Sequence, residues 1–246
     1  MDKQTLRALA HADHPITAPV SEDKVRELLG RAVRGPGARL LDLGCGDGSW
    51  LLRTLQQQPG VTAVGVDLSE HGFDRTRAAA AELGVAERLE LRREDVTGYR
   101  SAGPADVVLS VGASYAYGGL VPTLKAVREH LAEDGTLLLG DCFWEREPGP
   151  ELRAMIEGDQ PGYTDLAGTV DRLAADGWTP VYAHVSTLAE WDDYEWNWTG
   201  SLARWALDHP GHPDRRQVLD TAAEHRTAWL HGYRGVLGFV TLLLRR

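Results

Sequence analysis

The sequence predicts an α/β protein built on a doubly wound, mostly parallel sheet. Over the first 140 residues, short apolar strand patterns alternate with helix patterns of about 10–15 residues, which is the rhythm of βαβ units. Residues 105–111 are nearly all apolar, as expected for a strand buried on both faces. A glycine-rich turn follows the first strand pattern. Crossovers of this kind are right-handed, so helices cover both faces of the sheet.

The first half of the chain gives the clearest element boundaries. Ser21 can cap a helix whose apolar residues share one face, and Gly35-Pro36-Gly37 ends it. Ser69 can cap a later helix rich in alanine. The elements predicted here are, in order, helix 21–33, strand 39–43, helix 49–58, strand 61–66, helix 69–83, strand 89–92, strand 105–111, helix 120–131 and strand 136–139.

The second half has a different rhythm. Pro150 can start a short helix, and Thr164 can cap another. Residues 180–188 read as a sixth strand. A long helical region follows from 190 to about 231, broken near His209-Pro210-Gly211, and residues 236–244 form a seventh strand.

Composition excludes several classes of function. The 246 residues carry a net charge of −10, which disfavours DNA or RNA as a partner. No run of about eighteen apolar residues is present, so we expect no membrane span. The two cysteines make a disulfide framework improbable and favour the cytoplasm. No histidine or cysteine cluster has zinc-ligand spacing, so we expect no metal.

The stretch LLDLGCGDGSW, residues 40–50, is the most informative motif. Its glycines allow a tight turn close to a ligand, and Asp67 follows the turn by about 20 residues, the spacing at which an acid reaches a ribose diol. Asp47 inside the turn would repel the pyrophosphate of NAD. Asp42 and Asp47 instead suit a cofactor with an ammonium and a sulfonium group. The turn therefore favours S-adenosylmethionine over NAD.

Residues 40–141 resemble class I S-adenosylmethionine-dependent methyltransferases. The resemblance lies in LLDLGCGDGSW (40–50), GVDLS (65–69), EDV (94–96), ADVVLSVGASYAYGG (105–119) and DGTLLLGD (134–141). It implies a Rossmann-like, seven-stranded, mostly parallel sheet, with GVLGFVTLLL as a reversed last strand at the edge, and a helical lid. HPITAPVSEDKV (14–25), the loop 112–119 and the segment 192–196 are similar to a bacterial group that acts on small molecules.

The resemblance also implies a set of cofactor contacts. They are Gly44, Cys45 and Gly46 along the methionine part, Asp42 near the ammonium, Asp67 on the ribose hydroxyls, Leu68 beside the adenine, Asp95 on the adenine amine, Val96 against the ring, and Ser110 and Val111 beneath the sulfonium. Structural alternatives stay open: Cys45 as a small filler, Asp95 as an exposed loop acid, and Asp42 as a cap for backbone groups.

The acceptor site is expected at the carboxyl ends of the strands, where open α/β sheets bind ligands. The loop 110–119 lacks the Asp/Asn-Pro-Pro-aromatic tetrad with which nucleic-acid and glutamine N-methyltransferases grip a planar amine. Tyr115, Asp141 and His14 are the candidate catalytic residues. Tyr117, Phe143 and Trp144 are candidate substrate contacts, and packing of the loop onto the sheet is the alternative for the tyrosines.

The segment WDDYEWNW, residues 191–198, presents two helix faces. Trp191, Tyr194 and Trp198 recur at helical spacing and indicate a core stripe. Asp192, Glu195 and Trp196 lie on another face. That face suits either a cationic or amine substrate, through ion pairing and cation–π attraction, or plain exposure to solvent.

We expect one methyltransferase domain, 1–246. It comprises an N-terminal helical lid segment (1–34), a cofactor-binding core (35–142) and a helical insertion between strands six and seven (189–235) that forms a substrate lid. Such a lid indicates a small, enclosed methyl acceptor, with in-line transfer to oxygen, nitrogen or carbon. The alternatives are a non-catalytic regulatory domain that binds S-adenosylmethionine and, less favoured, an NAD-dependent oxidoreductase.

Overall fold

The computed structural model describes residues 1–158 and 162–246, which contain seven strands. They are β1 (Arg39–Leu43), β2 (Thr62–Asp67), β3 (Leu89–Arg93), β4 (Ala105–Val111), β5 (Leu131–Trp144), β6 (Thr179–Val185) and β7 (Leu237–Arg245). The α-helices are α1 (Lys3–Ala10), α2 (Glu22–Ala32), α3 (Ser49–Gln57), α4 (Phe73–Glu82), α5 (Leu120–Arg128), α6 (Pro150–Glu157), α7 (Leu166–Ala175), α8 (Leu188–Asp208) and α9 (Arg215–Ala228). A π-helical turn, Trp229–Tyr233, joins α9 to β7.

All seven strands form one sheet in the order β3-β2-β1-β4-β5-β7-β6. The neighbours from β3 to β5 are parallel, while β7 runs antiparallel to both β5 and β6. Apolar side chains of α2, α3 and α4 contribute to a core cluster on one side. Side chains of α5 and α7 contribute to a second cluster that holds the other half of the sheet's apolar residues. The predicted doubly wound, mostly parallel sheet with a reversed last strand is confirmed.

The expected position of the last strand at the sheet edge is wrong. β7 lies between β5 and β6, and β6 is the edge strand. The physical reason is visible in burial: eight of the nine residues of β7 are buried, whereas no residue of β6 is fully buried. A strand with apolar residues on both faces gains most free energy in the sheet interior, whereas a half-exposed strand tolerates the edge.

Local capping explains where the observed helices differ from the predicted ones. Ser69 does not cap α4, because its hydroxyl accepts from the His71 amide in a turn, and the helix begins only after Gly72 at φ +90°. Asp165, rather than Thr164, caps α7 by accepting from the Gly168 amide. The prediction did not include α1, which Asp2 caps through the Thr5 amide.

Helices α1, α8 and α9 form a helical cap with its own apolar cluster, which includes Ala10, Leu202 and Val218. The predicted N-terminal segment thus divides: α1 packs with α8, whereas α2 packs against α3 and the sheet. Within 1–158 and 162–246, no helix combines the length and apolar character required to span a bilayer.

The cap is attached at one edge of the sheet. Trp144 at the end of β5 pairs with Leu237 at the start of β7, and Val185 at the end of β6 pairs with Val240. The chain therefore leaves β6 and returns into β7 at the carboxyl edge of the parallel strands, with α8 and α9 between.

Candidate functional site

The turn after β1 packs tightly against its neighbours. Gly44 has φ +85°, and a side-chain carbon built on it would lie 2.5 Å from the Ala113 Cβ in the loop after β4. The amides of Gly44 and Cys45 both donate to the Val66 carbonyl, at 2.9 and 3.1 Å. Glycine is required at position 44 for the left-handed backbone and for this close approach.

Asp67 is fixed against this turn. One carboxylate oxygen accepts from the Gly46 amide and the other from the Ser69 amide, both at 2.9 Å. Leu68 follows with 65% of its surface exposed, which is unusual for a large apolar side chain. The structure thus brings together the turn, the predicted ribose-binding acid and the predicted adenine neighbour. Their contacts with the cofactor stay predictions.

Asp42 is a buried carboxyl beneath the turn, only 4% exposed. Burial, followed by the charges of Asp67 and Asp47, raises the pKa of Asp42 to about 8, and no hydrogen bond from a described residue opposes the shift. A carboxyl in this state gains free energy from a nearby cation. The site therefore fits a ligand that carries an ammonium group.

Asp47 does not share that role. Its carboxylate accepts from the Arg75 guanidinium at 2.7 Å and from the Ser49 amide at 3.0 Å. Its charge is already paired, which favours Asp42 over Asp47 as the partner of the cofactor's positive groups. Both roles stay predictions.

Cys45 packs against β2. A side-chain carbon built on Gly65 would lie 2.8 Å from the Cys45 sulfur, and burial raises the pKa of the thiol well above its usual range. A buried, protonated thiol is a poor nucleophile. The geometry agrees with Cys45 as a small side chain that fits its slot.

Asp95 and Val96 begin a loop beside the exposed Leu68 end of the site. The exposed Asp95 carboxylate accepts from the amide and the hydroxyl of Thr97, and these bonds lower its pKa. The Tyr117 hydroxyl donates to the Val96 carbonyl at 3.3 Å, and burial raises the pKa of Tyr117 to about 12. This contact places Tyr117 beside the predicted adenine loop, and its role as a substrate contact stays a prediction.

Ser110 and Val111 end β4 next to β5. Ser110 is fully buried, and no described residue bonds to its hydroxyl. A side-chain carbon on Gly140 would lie 2.7 Å from Val111 Cγ1. The two strands therefore meet closely at this point, where Gly140 leaves room for Val111. Their role beneath the sulfonium stays a prediction.

Asp141 follows Gly140 and is buried. It accepts from the Ser114 hydroxyl and the Cys142 amide, both at 2.9 Å, while burial raises its pKa to about 6. It borders a small cavity of about 90 Å³ with Tyr115 and Tyr163. Tyr115 itself is 55% exposed. At neutral pH Asp141 is mostly ionised, so it is chemically able to accept a proton.

The structure corrects the prediction that Phe143 and Trp144 line the substrate pocket. Phe143 is buried in the core cluster beneath α5 and α7 and contacts Gly238 of β7. Trp144 is buried in the opposite cluster, with its indole donating to Glu157 at 2.9 Å. Side chains on β5 alternate between the two faces of the sheet, so both pack into cores.

The predicted substrate face of α8 is also corrected, because its three members have separate surroundings. Asp192 forms a two-bond ion pair with Arg234, at 2.8 and 2.7 Å. Trp196 is 53% exposed and packs edge-on against Trp229. Glu195 is buried, because α8 turns this side toward α9 and the π-helical turn.

Glu195 belongs to a buried network that sequence reasoning missed. Its carboxylate bonds to His225 Nε2 at 2.7 Å and accepts from the Tyr233 hydroxyl at 2.7 Å, while Trp198 stacks on the His225 ring at 3.7 Å. The network ties α8 to α9 and to the π-helical turn. Its members are separated by 30 and 38 positions in the chain, and no local pattern announces such a pairing.

His14 lies in a segment that crosses the glycine turn. The Ser49 hydroxyl donates to the Pro15 carbonyl at 2.5 Å, and the Trp50 indole donates to the Ile16 carbonyl at 3.0 Å. The buried His14 ring meets Tyr194 edge-on, and burial lowers its pKa. A neutral imidazole beside the turn is able to accept a proton, so the structure keeps His14 in the vicinity that the prediction requires.

A larger cavity, about 410 Å³, opens within the cap between α1 and α8. Lys3, Arg7, His11 and Tyr194 contribute to its lining. The predicted helical lid segment 1–34 had no separate helix bounds before residue 21, so Arg7 and His11 were not named as site residues. The apolar spacing of Leu6, Leu9 and Ala10 was the available signal.

Comparison with known proteins decides the family. The methyltransferase-domain family matches residues 41–137, and the protein YjhP of Escherichia coli K12 is 30% identical over 213 residues, 85% of each chain. A methyltransferase from Geobacter sulfurreducens, solved with S-adenosyl-L-homocysteine, is 25% identical with a TM-score of 0.88 over 98% of this chain and 97% of that one. The chain belongs to the class I S-adenosylmethionine-dependent methyltransferases.

The trans-aconitate 2-methyltransferase of Streptomyces avermitilis is also similar, with 26% identity over 246 residues, 92% of this chain and 87% of the relative. This methyltransferase uses S-adenosylmethionine as its cofactor and methyl donor. The prediction of a methyltransferase that uses this cofactor is confirmed.

Proposed function

We propose that this methyltransferase transfers its methyl group to a small molecule by in-line displacement, with oxygen, nitrogen or carbon as the accepting atom. The observation that carries the proposal is the helical cap, whose α1 and α8 cover the carboxyl edge of the sheet beside the glycine turn and leave a cavity of about 410 Å³. Such a volume suits a small molecule. The name of the trans-aconitate relative supports the same substrate class.

We infer that the cofactor lies across the turn. Asp67, held by the Gly46 and Ser69 amides, would orient the ribose, and the buried Asp42 would hold the ammonium. Leu68, Asp95 and Val96 would surround the adenine. When bound, the cofactor supplies an electrophilic methyl group on a sulfonium. The chain's contribution is mainly orientation, which supplies up to about 7–11 kcal/mol of the barrier.

A proton leaves the acceptor when the accepting atom is a hydroxyl, a protonated amine or an acidic carbon. Asp141 and His14 are the proposed acceptors of that proton, since Asp141 is mostly ionised and His14 mostly neutral at pH 7. Tyr115 is the proposed contact with the reacting group. Both cysteines are free, which supports a reducing compartment, and we propose the cytoplasm.

Binding measurements test the cofactor site directly. Calorimetric titration with S-adenosylmethionine and S-adenosyl-L-homocysteine should give saturable binding, and NAD should give none. Asp67→Ala should weaken binding of both sulfur nucleosides at least tenfold, because it removes the ribose acceptor and releases the turn. Asp74→Ala is the matched control, since Asp74 is a fully exposed acid on α4. Equal affinities in the two variants would remove Asp67 from the site.

Turnover tests the acceptor side. In a panel of small hydroxyl, amine and carbon acids, formation of S-adenosyl-L-homocysteine identifies an acceptor. With that acceptor, Tyr115→Phe and Asp141→Asn should lower kcat while the cofactor affinity changes little. Unchanged kcat in both variants would contradict the proposed acceptor position.

A further inference from the structure

The cavity beneath α1 has positively charged side chains in its lining, and the cofactor site does not explain them. Its lining includes the side chains of Lys3 and Arg7, and none of the described residues that line it is an acid. The protein as a whole carries a net charge of −10. Positive charge is therefore concentrated at this cavity against the overall charge of the molecule.

Arg7 is the central group. No carboxylate of a described residue lies within ion-pair distance of it, in contrast to Arg53, Arg75 and Arg234. The only described hydrogen-bond partner of the Arg7 guanidinium is the Tyr115 hydroxyl, at 3.5 Å, which is a long contact. A guanidinium has five N–H donors in a planar fork, so Arg7 keeps most of its donors available.

Arg7 also connects the cavity to the methyl-transfer site. Tyr115, which it contacts, follows β4 by four residues and borders the cavity beside Asp141. Arg7 is exposed at the mouth of the cavity. Partial desolvation lowers its pKa, but the hydrogen bond to Tyr115 and the charge of Asp67 contribute to a pKa that is raised overall. The guanidinium is therefore charged at physiological pH and lies within electrostatic reach of the predicted ribose-binding acid.

The remaining walls are apolar or neutral. Leu6 and the Trp198 ring provide apolar surface, and Trp198 is held in place by stacking on His225 at 3.7 Å. Burial, followed by the Arg7 charge, lowers the pKa of His11 to about 4, so its imidazole is neutral at pH 7. An apolar body and one negative group would match this surface.

We propose that the cavity between α1 and α8 binds a methyl acceptor with an apolar body and a carboxylate or phosphate group, and that Arg7 clamps this group. The inference rests on the proposed function and adds the chemical class of the acceptor. A two-bond contact between guanidinium and carboxylate or phosphate fixes the orientation of the acceptor as well as its position. The negative group would also lie toward the sulfonium of the donor, where opposite charges favour the ternary complex.

Binding to the enzyme loaded with S-adenosyl-L-homocysteine tests the proposal without knowledge of the natural acceptor. The probes are trans-cinnamate, 1-naphthoate and phenyl phosphate, with cinnamamide and 1-naphthamide as neutral matches, titrated by calorimetry. We expect the anions to bind at least tenfold more tightly than the amides. Tighter binding of phenyl phosphate than of both carboxylates would assign the clamp to a phosphate, and the reverse order to a carboxylate.

Variants locate the clamp. Arg7→Gln should lower the affinity for the anion at least tenfold and leave the affinity for S-adenosyl-L-homocysteine within about threefold of the wild type. Arg7→Lys, which keeps the charge but loses the fork, should fall between Arg7→Gln and the wild type. Arg216→Gln is the matched control, because Arg216 is an exposed arginine of α9 paired with Asp220 outside the cavity.

Three results would overturn the inference: amides that bind as tightly as the anions, Arg7→Gln with unchanged anion affinity, or no anion binding to the loaded enzyme. These failures are distinct from failure of the proposed function. If the wild type binds no S-adenosyl-L-homocysteine, the cofactor site itself is wrong. If it binds that nucleoside and methylates only neutral molecules, the enzyme class holds and the anionic acceptor is excluded.

Discussion

At the scale of single residues, two aspartates have opposite surroundings. Asp67 accepts two backbone hydrogen bonds at the end of β2, whereas Asp42 is buried with neighbouring charges of its own sign. Asp67 is therefore a fixed hydrogen-bond acceptor, whereas Asp42 is stabilised by binding a cation or a proton. The cofactor's ammonium would supply the cation.

This contrast predicts proton release on cofactor binding. Without ligand, the pKa of Asp42 is about 8, so most molecules carry the proton at pH 7. An adjacent ammonium lowers that pKa, and binding at pH 7 should release close to one proton. Calorimetry in buffers of different ionisation enthalpy measures this number. Asp42→Asn should abolish the release and the rise in affinity between pH 6 and 8.

The same group affects folding. Its folded pKa lies above the value near 3.9 expected in the unfolded chain, so its contribution to stability is complete below pH 4 and is lost as the pH rises through 8. Asp42→Asn lacks this loss. The Tm of the variant without ligand should therefore gain on the wild type between pH 5 and pH 8. A constant difference in Tm would contradict the assignment of the titration to Asp42.

At the scale of elements, the turn between β1 and α3 combines strained backbone with close packing. Gly44→Ala introduces a left-handed alanine and a contact of 2.5 Å with Ala113. We expect a loss of about 2–5 kcal/mol in the free energy of unfolding, from backbone strain and overpacking together. Urea denaturation measures it.

Gly37→Ala is the control for this variant. Gly37 also has a left-handed backbone, at φ +77°, but open space around the position of a side-chain carbon. It should cost only the conformational part, about 1–2 kcal/mol. If both variants lose the same free energy, the contact between the turn and Ala113 carries no energetic weight.

The junction of α8, α9 and the π-helical turn depends on the Glu195 network. Glu195→Gln keeps the size of the side chain but places an amide where His225 and Tyr233 meet a carboxylate. Loss of a buried charged acceptor should cost about 1–3 kcal/mol in urea denaturation. Asp220→Asn, an exposed acid on α9, should change stability by less than about 0.5 kcal/mol. Equal effects would show that the network is not a structural tie.

Some helices, strands and turns could be predicted from the sequence, and others could not. β1 and β4 have the predicted bounds, because continuous apolar runs next to glycine or acid leave little freedom of register. The turn and Asp67 were predictable because they come from adjacent elements of one βαβ unit. α1 was not, since a short helix that is stable only through packing on α8 gives a weak local pattern.

The residues of the proposed acceptor site were harder to predict, because their surroundings depend on contacts between residues that are distant in the chain. Phe143 and Trp144 were expected in a pocket because they follow the fifth strand. Their side chains instead point to opposite faces of β5 and pack in the two core clusters. Asp192 and Glu195 acquire partners from segments more than 25 residues away, and only the folded chain shows these. Arg7 reaches Tyr115 across 108 positions.

At the scale of the whole molecule, the helical cap has a small apolar cluster of its own, while Trp191 of α8 packs in a sheet cluster. The sheet clusters are large, whereas the cap cluster consists of a few small and medium side chains such as Ala10, Leu202 and Val218. Local stability follows the number of buried apolar contacts. The cap is therefore expected to open without unfolding of the sheet.

Hydrogen exchange measured by mass spectrometry tests this difference. Amides of α1 and α9 should exchange faster than those of β1, β4 and β5. Saturation with S-adenosyl-L-homocysteine should slow exchange in α1 and in residues 11–20, which contact the start of α3. Uniform protection of cap and sheet, with no response to the nucleoside, would contradict independent movement of the cap.

The reversed strand β7 brings the two ends of one long segment together. Because β6 ends and β7 begins at a single rim, residues 186–236 form a closed excursion whose two ends stay side by side. Such a segment is free to lengthen, shorten or change its inner surface while the seven-stranded frame keeps its hydrogen bonds. The excursion supplies Tyr194, Trp198 and Thr221 to the cavity, while α1 and His11 supply the rest of its lining. Transplanting the excursion from a related enzyme should therefore change the proposed acceptor preference and leave cofactor binding unchanged.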